Sequence, residues 1–225
     1  MERTLSSRMV ELYQTSSNSY VTTAAVSTSS SAQRDLLTFK CFNACSIKNK
    51  LHELGIMASA HLDFIAITEM WLNDDFPNSV ISVHLPNYSI FRSDRIDRRA
   101  GGALLLTSPS LHAESLPNIN VTNIERVGKI ITHNDVSECP LIIACVYRSP
   151  SCSFADFKSW LNIVRQSFLS THFPPKLIIV GDFNLPNFDW NIPCCTNLEQ
   201  NHILFLNFLN NYGLVQLNLE PTREN

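Results

Sequence analysis

The sequence is short of charge, of glycine and of long apolar runs. Charged residues make up 16% of the chain, against about 25% in an ordinary globular protein, while hydrophobic residues reach 44%. That balance excludes a wholly disordered chain and supports a sizeable core. Basic residues are not in excess: 17 Lys and Arg face 20 Asp and Glu, for a net charge of −3. No global positive field therefore marks a nucleic-acid binder. The longest apolar runs, such as Leu141 to Tyr147, fall far short of the ~20 residues that cross a bilayer. Met1 to Gln14 holds no apolar stretch of signal-peptide length. The expectation is an intracellular protein, nuclear or cytoplasmic, neither secreted nor membrane-spanning, with no obligate protein partner evident. Seven cysteines form no paired framework and no repeated Cys-x-x-Cys, and read as small buried hydrophobes in a reducing compartment.

The 225 residues suit one domain, or one domain with a tail. Residues 1–35 are dominated by Ser and Thr and hold few large apolar side chains, so they cannot bury enough surface to offset their ordering entropy; they read as a disordered tail. From Leu36 onward short apolar runs alternate with amphipathic stretches. Leu37–Asn43, Phe64–Thr68, Ala103–Thr107, Leu141–Tyr147 and Leu177–Val180 are strand candidates, too short for independent helices. Ser153 to His172 reads as a helix opened by a capping pair, Ser153 and Asp156. Lys48 to Ala60 and His202 to Tyr212 are further helices, the second stopped by Gly213. Strands alternating with helices indicate an α/β architecture.

The chemistry-bearing residues stand at strand ends. Leu177 to Val180 runs into Gly181-Asp182-Phe183-Asn184, where an acid and an amide two residues apart can project to one face. Such a pair can orient a water or hold a hard cation; the same segment reads equally as a strand entering an Asx turn. Phe64 to Thr68 delivers Glu69, which can ligate Mg²⁺ or be a solvated strand-end acid. Asn43 ends the first strand. Tyr147 and Arg148 end another, with a phenol and a guanidinium able to contact a phosphate.

Together these strand ends resemble, in order, the motifs of the endonuclease/exonuclease/phosphatase family. The matching segments are Asn43-Ala44-Cys45-Ser46-Ile47-Lys48-Asn49-Lys50, Ile67-Thr68-Glu69-Met70-Trp71-Leu72 and Gly101-Gly102-Ala103, then Tyr147-Arg148-Ser149-Pro150, Gly181-Asp182-Phe183-Asn184 and Pro221-Thr222-Arg223. The chain is most similar to the endonuclease domains of non-LTR retrotransposons. The resemblance implies a DNase I-like four-layer α/β sandwich over residues 36–225, with its last strands missing. It implies that Glu69 binds Mg²⁺ or Mn²⁺ with support from Asn43, that Asp182 deprotonates the attacking water, that Asn184 holds the phosphate or that acid, and that Tyr147 donates to a phosphate oxygen. Arg148 is expected to bind substrate, and so are Arg98 and Arg99, which lie in a loop where Arg92, Arg95, Arg98 and Arg99 alternate with Asp94 and Asp97. That loop also reads as a solvated one; in the family context it would make a weak, local contact with DNA.

Two departures are small: Cys45 stands where these relatives usually carry Arg, and Ser149 where they carry Pro. A third bears on activity. The family's closing Ser-Asp-His motif has no counterpart, so the domain is expected to be incomplete at its C-terminus and weakly active or inactive in isolation. The alternatives are an inactive remnant serving as a binding module and a phosphoinositide or sphingolipid phosphodiesterase.

Overall fold

A computed structural model of the chain describes residues 8–10, 22–27, 36–95, 100–111, 113–115, 121–131, 141–169, 176–185 and 198–216. Its five-stranded sheet holds β2 (Thr22–Ser27), β3 (Leu36–Asn43), β4 (Phe64–Thr68), β5 (Ser89–Ser93) and β6 (Ala103–Thr107), in the order β2-β3-β4-β6-β5. The second sheet, of four strands, is ordered β10 (Lys176–Asp182), β9 (Leu141–Arg148), β8 (Ile124–Ile131), β7 (Ala113–Ser115). A short parallel pair joins β1 (Arg8–Val10) to β11 (Leu214–Gln216). All five strands expected from the apolar runs are present. β4, β6 and β9 are buried along their whole length, which is why they read as continuous apolar runs rather than alternating ones.

Three apolar clusters define four layers. Between the sheets lie Phe39, Cys41, Phe64 and Ala66 from one side and Ile143, Cys145, Ile178 and Val180 from the other; the Phe39 and Phe64 rings stack at 4.4 Å. Outside the five-stranded sheet, Ile65, Ile67, Leu104 and Leu106 pack with helix α1 (Leu51–Ala58) and helix α2 (Asn78–His84) through Leu51, Leu54 and Ile81. Outside the other sheet, Ile142, Ala144, Val146, Leu177 and Ile179 meet helix α3 (Phe154–Val164) and helix α4 (Gln200–Tyr212). The result is an α/β/β/α sandwich. Ser153 caps α3, its hydroxyl accepting from Asp156 N at 3.1 Å, and Gly213 ends α4 in the left-handed conformation, φ 62°.

Two findings correct the sequence reading. Residues of the Ser/Thr-rich stretch form β1 and β2, and β2 pairs antiparallel with β3 from Thr22↔Cys41 to Ser27↔Leu36. Composition measures side-chain burial, whereas an open sheet edge also recruits backbone, and Thr22, Thr23 and Val26 favour the extended state. The disordered-tail assignment therefore fails for these segments. The described part of the arginine loop is also not simply solvated. Arg92 pairs with Asp94 at 2.8 Å and donates to the Phe76 and Asn73 carbonyls, while Arg95 is buried. Arg98, Arg99 and the Pro221-Thr222-Arg223 motif lie outside the described residues. Among those described, no helix is long and apolar enough to cross a membrane, and the thiols of Cys41, Cys145 and Cys152 are buried, that of Cys145 pushed up to about 12 by its burial.

Candidate active site

β3 and β4 run parallel, as do β9 and β10, so four C-terminal strand ends arrive at one edge of the sandwich. Along β9 the side chains alternate: Ile143 and Cys145 face the other sheet, Ile142, Ala144 and Val146 the helices. Continuing that alternation puts Tyr147 on the inter-sheet side and Arg148 on the helix side. β10 behaves likewise, with Ile178 and Val180 inward and Asp182 two residues on. In β3, Phe39 and Cys41 lead to Asn43. The site is thus the polar end of the apolar column between the sheets, and its side chains meet there: Asn43 Nδ2 donates to Asp182 Oδ2 at 3.4 Å.

Glu69 arrives differently. Strict alternation would send it after Ile65 and Ile67 toward the helix layer. Its left-handed backbone, φ 55°, breaks the pattern, and hydrogen bonds beyond the strand ends hold the turn: Glu69 N to Gly102 O at 3.0 Å, Ser46 N to Glu69 O at 2.8 Å and Trp71 N to Gly101 O at 3.1 Å. The carboxylate accepts from Trp71 Nε1 at 2.7 Å, and its charge acts on the Tyr147 phenol. Of the seven non-glycine residues with positive φ among those described, five stand at this edge: Cys45, Ser46, Glu69, Trp71 and Asn184. Strain of this kind persists only where the surroundings over-determine it.

The turn after β10 is held from two directions. Asn184 N donates to Asp182 Oδ1 at 3.0 Å, and Asn184 Nδ2 donates to Arg148 O at 2.7 Å. The Arg148 guanidinium donates in return to the carbonyls of Phe183, Asn184 and Cys152 at 3.1, 2.9 and 3.2 Å and lies 4.7 Å from the centre of the Phe157 ring. Its side chain is turned into the helix layer and is 3% exposed, so it does not stand with Tyr147 at the cleft, where the expectation that it binds substrate would put it: adjacent residues of a strand face opposite sides.

Tyr147 sits in an acidic setting. Burial, then the charge and hydrogen bond of Glu69, then Asp182 and Glu125, push its phenol well above the usual range. The Cys45 thiol is raised by burial and by the Glu69 and Asp182 charges, with Lys50 opposing. Two carboxylates therefore act on the same pair of neighbours and converge on one region. Glu69 and Asp182, with waters completing the shell, form the hard oxygen set that suits Mg²⁺; the Asn43 oxygen is occupied, accepting from Cys45 N at 3.0 Å. Among the described residues no cluster of three or more His, Cys, Asp and Glu side chains is poised for a metal, so the candidate cation site rests on two carboxylates rather than a cage. Behind Tyr147, Arg95 pairs with Glu125 at 3.5 Å and donates to Asn123 Oδ1 at 3.0 Å. Cys45, Trp71, Arg95 and Glu125 were not among the expected site residues. Cys45 and Trp71 stand two positions after Asn43 and Glu69, a spacing the sequence does offer, whereas Glu125 faces Tyr147 only through the β8–β9 register. A cavity of about 470 Å³ lies at the opposite pole, beside Asp63 and Ser108, and contains none of these side chains.

An endonuclease–reverse transcriptase family model matches residues 141–225, the C-terminal stretch that contributes Tyr147, Asp182 and Asn184. Among solved structures the chain is similar to an AP endonuclease from Archaeoglobus fulgidus, at 13% identity and a TM-score of 0.53 over 77% of this chain and 70% of that one. A 3'-5' exonuclease from Neisseria meningitidis aligns at 17% identity and a TM-score of 0.53, over 76% and 70%. These solved structures share the endonuclease/exonuclease/phosphatase superfamily fold with the chain. A Neisseria 3' phosphatase bound to product DNA hairpin has the same fold, at 16% identity and a TM-score of 0.53 over 76% and 70%. No curated protein matches the sequence significantly. The superfamily's α/β sandwich is thus the fold of this chain.

Proposed function

We propose that the chain is a divalent-metal-dependent phosphodiester hydrolase acting on DNA, of the retrotransposon endonuclease type. The observation that carries this reading is the junction of the two sheets at their strand ends, Asn43 Nδ2 on Asp182 Oδ2 at 3.4 Å, with the Glu69 carboxylate held beyond β4 by Trp71 Nε1 at 2.7 Å. The family description attached to residues 141–225 supports the retrotransposon type. Glu69 and Asp182 would hold Mg²⁺ or Mn²⁺, which when bound supplies positive charge to the phosphoryl transition state. Asp182 is the base: its carboxylate is buried and aimed by Asn43 Nδ2 and Asn184 N, and it takes the proton of the attacking water. Tyr147, held neutral by its surroundings, donates a hydrogen bond to a non-bridging phosphate oxygen. Asn184 acts through Asp182 rather than on the phosphate.

The test is nicking of supercoiled plasmid with Mg²⁺ or Mn²⁺, together with Mn²⁺ binding followed by electron paramagnetic resonance. Wild type should bind the ion and nick the plasmid; Glu69→Ala should lose both, and Asp182→Ala should lose nicking by at least about a hundredfold. Hydrolysis of inositol phosphates without DNA cleavage, or nicking that survives both substitutions, would refute the reading.

A further inference from the structure

We propose that Arg148 is a positioning residue, which holds the turn that aims Asp182 and makes no contact with substrate. The proposal deepens the hydrolase reading and rests on it for its kinetic consequence. One planar guanidinium ties together three carbonyls from two loops: Nη1 reaches Phe183 O and Asn184 O, and Nη2 reaches Cys152 O. The Phe157 face, 4.7 Å away, fixes the plane of the fork from α3. Asn184 closes the loop by returning a hydrogen bond to Arg148 O. Within this clamp Asn184 adopts φ 44°, and in that conformation its N–H meets Asp182 Oδ1 at 3.0 Å. Without the clamp the carboxylate loses the 3.0 Å hydrogen bond from its own turn, which is shorter than the 3.4 Å contact from Asn43 on the opposite sheet. Arg148 thus reaches the chemistry through the chain Phe157, Arg148, Asn184, Asp182, which runs from the helix layer to the cleft. Lysine cannot substitute, because an ammonium is a single point of charge and cannot span the acceptors on both sides of the fork.

Arg148→Lys, Arg148→Ala and Phe157→Leu separate this role from a phosphate contact. Both Arg148 variants should slow single-turnover nicking at least tenfold while DNA affinity and its salt dependence stay at wild-type values. A phosphate contact would instead weaken DNA binding, lower the salt slope by about one and be rescued by lysine; that result overturns the proposal. Amide hydrogen exchange reads the clamp without any catalysis. In Arg148→Lys the Asn184 N–H should exchange at least tenfold faster while the β9–β10 ladder stays protected, and unchanged Asn184 protection overturns the proposal. Phe157→Leu should give the same pattern to a smaller degree and stands in should Arg148→Ala fail to fold. If wild type does not nick DNA, the hydrolase reading falls, and the exchange of Asn184 alone decides the role of Arg148.

Discussion

Replacing Gly181 by alanine tests the packing that delivers Asp182. Gly181 pairs with Val146 in the parallel β9–β10 ladder at φ 141°, and a Cβ built there would lie 1.8 Å from Val146 O and 2.8 Å from Val146 C and N. The obstacle is backbone in a buried strand, so no side chain can swing aside. Restoring ordinary contact requires the strands to part by roughly 1.5 Å, given that non-bonded atoms settle about 3.5 Å apart. A left-handed backbone without glycine costs about 1–3 kcal/mol, and overpacking a core adds about 1–3 kcal/mol, which together centre on about 4 kcal/mol. With a urea slope of about 2 kcal/mol per M, the unfolding midpoint should fall by about 2 M. Gly213→Ala is the control: its φ is 62° and nothing lies within 4 Å of an added Cβ, so only the conformational penalty of about 1 kcal/mol applies. Urea unfolding followed by circular dichroism compares the two. If Gly181→Ala is no more destabilising than Gly213→Ala, the packing of the β9–β10 ladder described here is wrong. In folded Gly181→Ala protein the neighbouring Asp182↔Tyr147 pair must also shift, so metal-dependent nicking should fall further than stability alone accounts for.

Tyr147 gives a pH signature. Below the ordinary phenol value of 10.0 the folded and unfolded chains both hold it neutral; above it the unfolded chain releases the proton first, so stability is lost as pH rises past 10. Wild type should therefore lose urea resistance faster than Tyr147→Phe between pH 10 and 11, and parallel curves would count against the buried, acid-flanked phenol. Ser153→Ala removes the hydroxyl that accepts from Asp156 N and should cost about 1 kcal/mol in urea unfolding; no measurable loss would mean that the cap contributes nothing to α3.

What could be read from the sequence follows what burial does to a strand. β4, β6, β9 and β10 are sandwiched between layers, so apolar residues fill both faces and the strands announce themselves. β8 did not, because it carries Glu125 and Arg126 near its start; both are buried, and Glu125 is answered by Arg95, 30 positions earlier, rather than by solvent. β2 and β5 sit at sheet edges, where backbone pairing can hold a strand without an apolar signature. That Asn43, Glu69, Tyr147, Asp182 and Asn184 gather at strand ends was legible because polar residues closing apolar runs are conspicuous. Arg148 was legible in identity but not in direction. Adjacent residues of a strand face opposite sides, so assigning Tyr147 to the cleft already sends Arg148 to the helices. That step needs only the strand period, and the attraction of a guanidinium for phosphate obscured it.

The sign of the charge at the cleft gives the proposed metal requirement a physical basis. Glu69 and Asp182 stand at the site and Glu125 behind Tyr147, while the cations nearby have other partners. Lys50 Nζ donates to Ala44 O, Arg95 is paired with Glu125, and Arg148 faces backbone carbonyls in the helix layer. A phosphodiester approaching two carboxylates at about 4 Å meets a repulsion of about 4 kcal/mol for each close pair of charges, at an effective dielectric of about 20. The hydrogen bond from Tyr147 offsets only part of that, since a bond to a charged group contributes about 1.5–3 kcal/mol. An anionic substrate therefore needs a positive charge between it and the acids. Two converging carboxylates lower the free energy of a divalent cation at the point where that charge is required. The features that make the cleft hostile to phosphate when empty of metal are the same ones that make it a place for Mg²⁺, which is why Glu69 and Asp182 belong to one device rather than two.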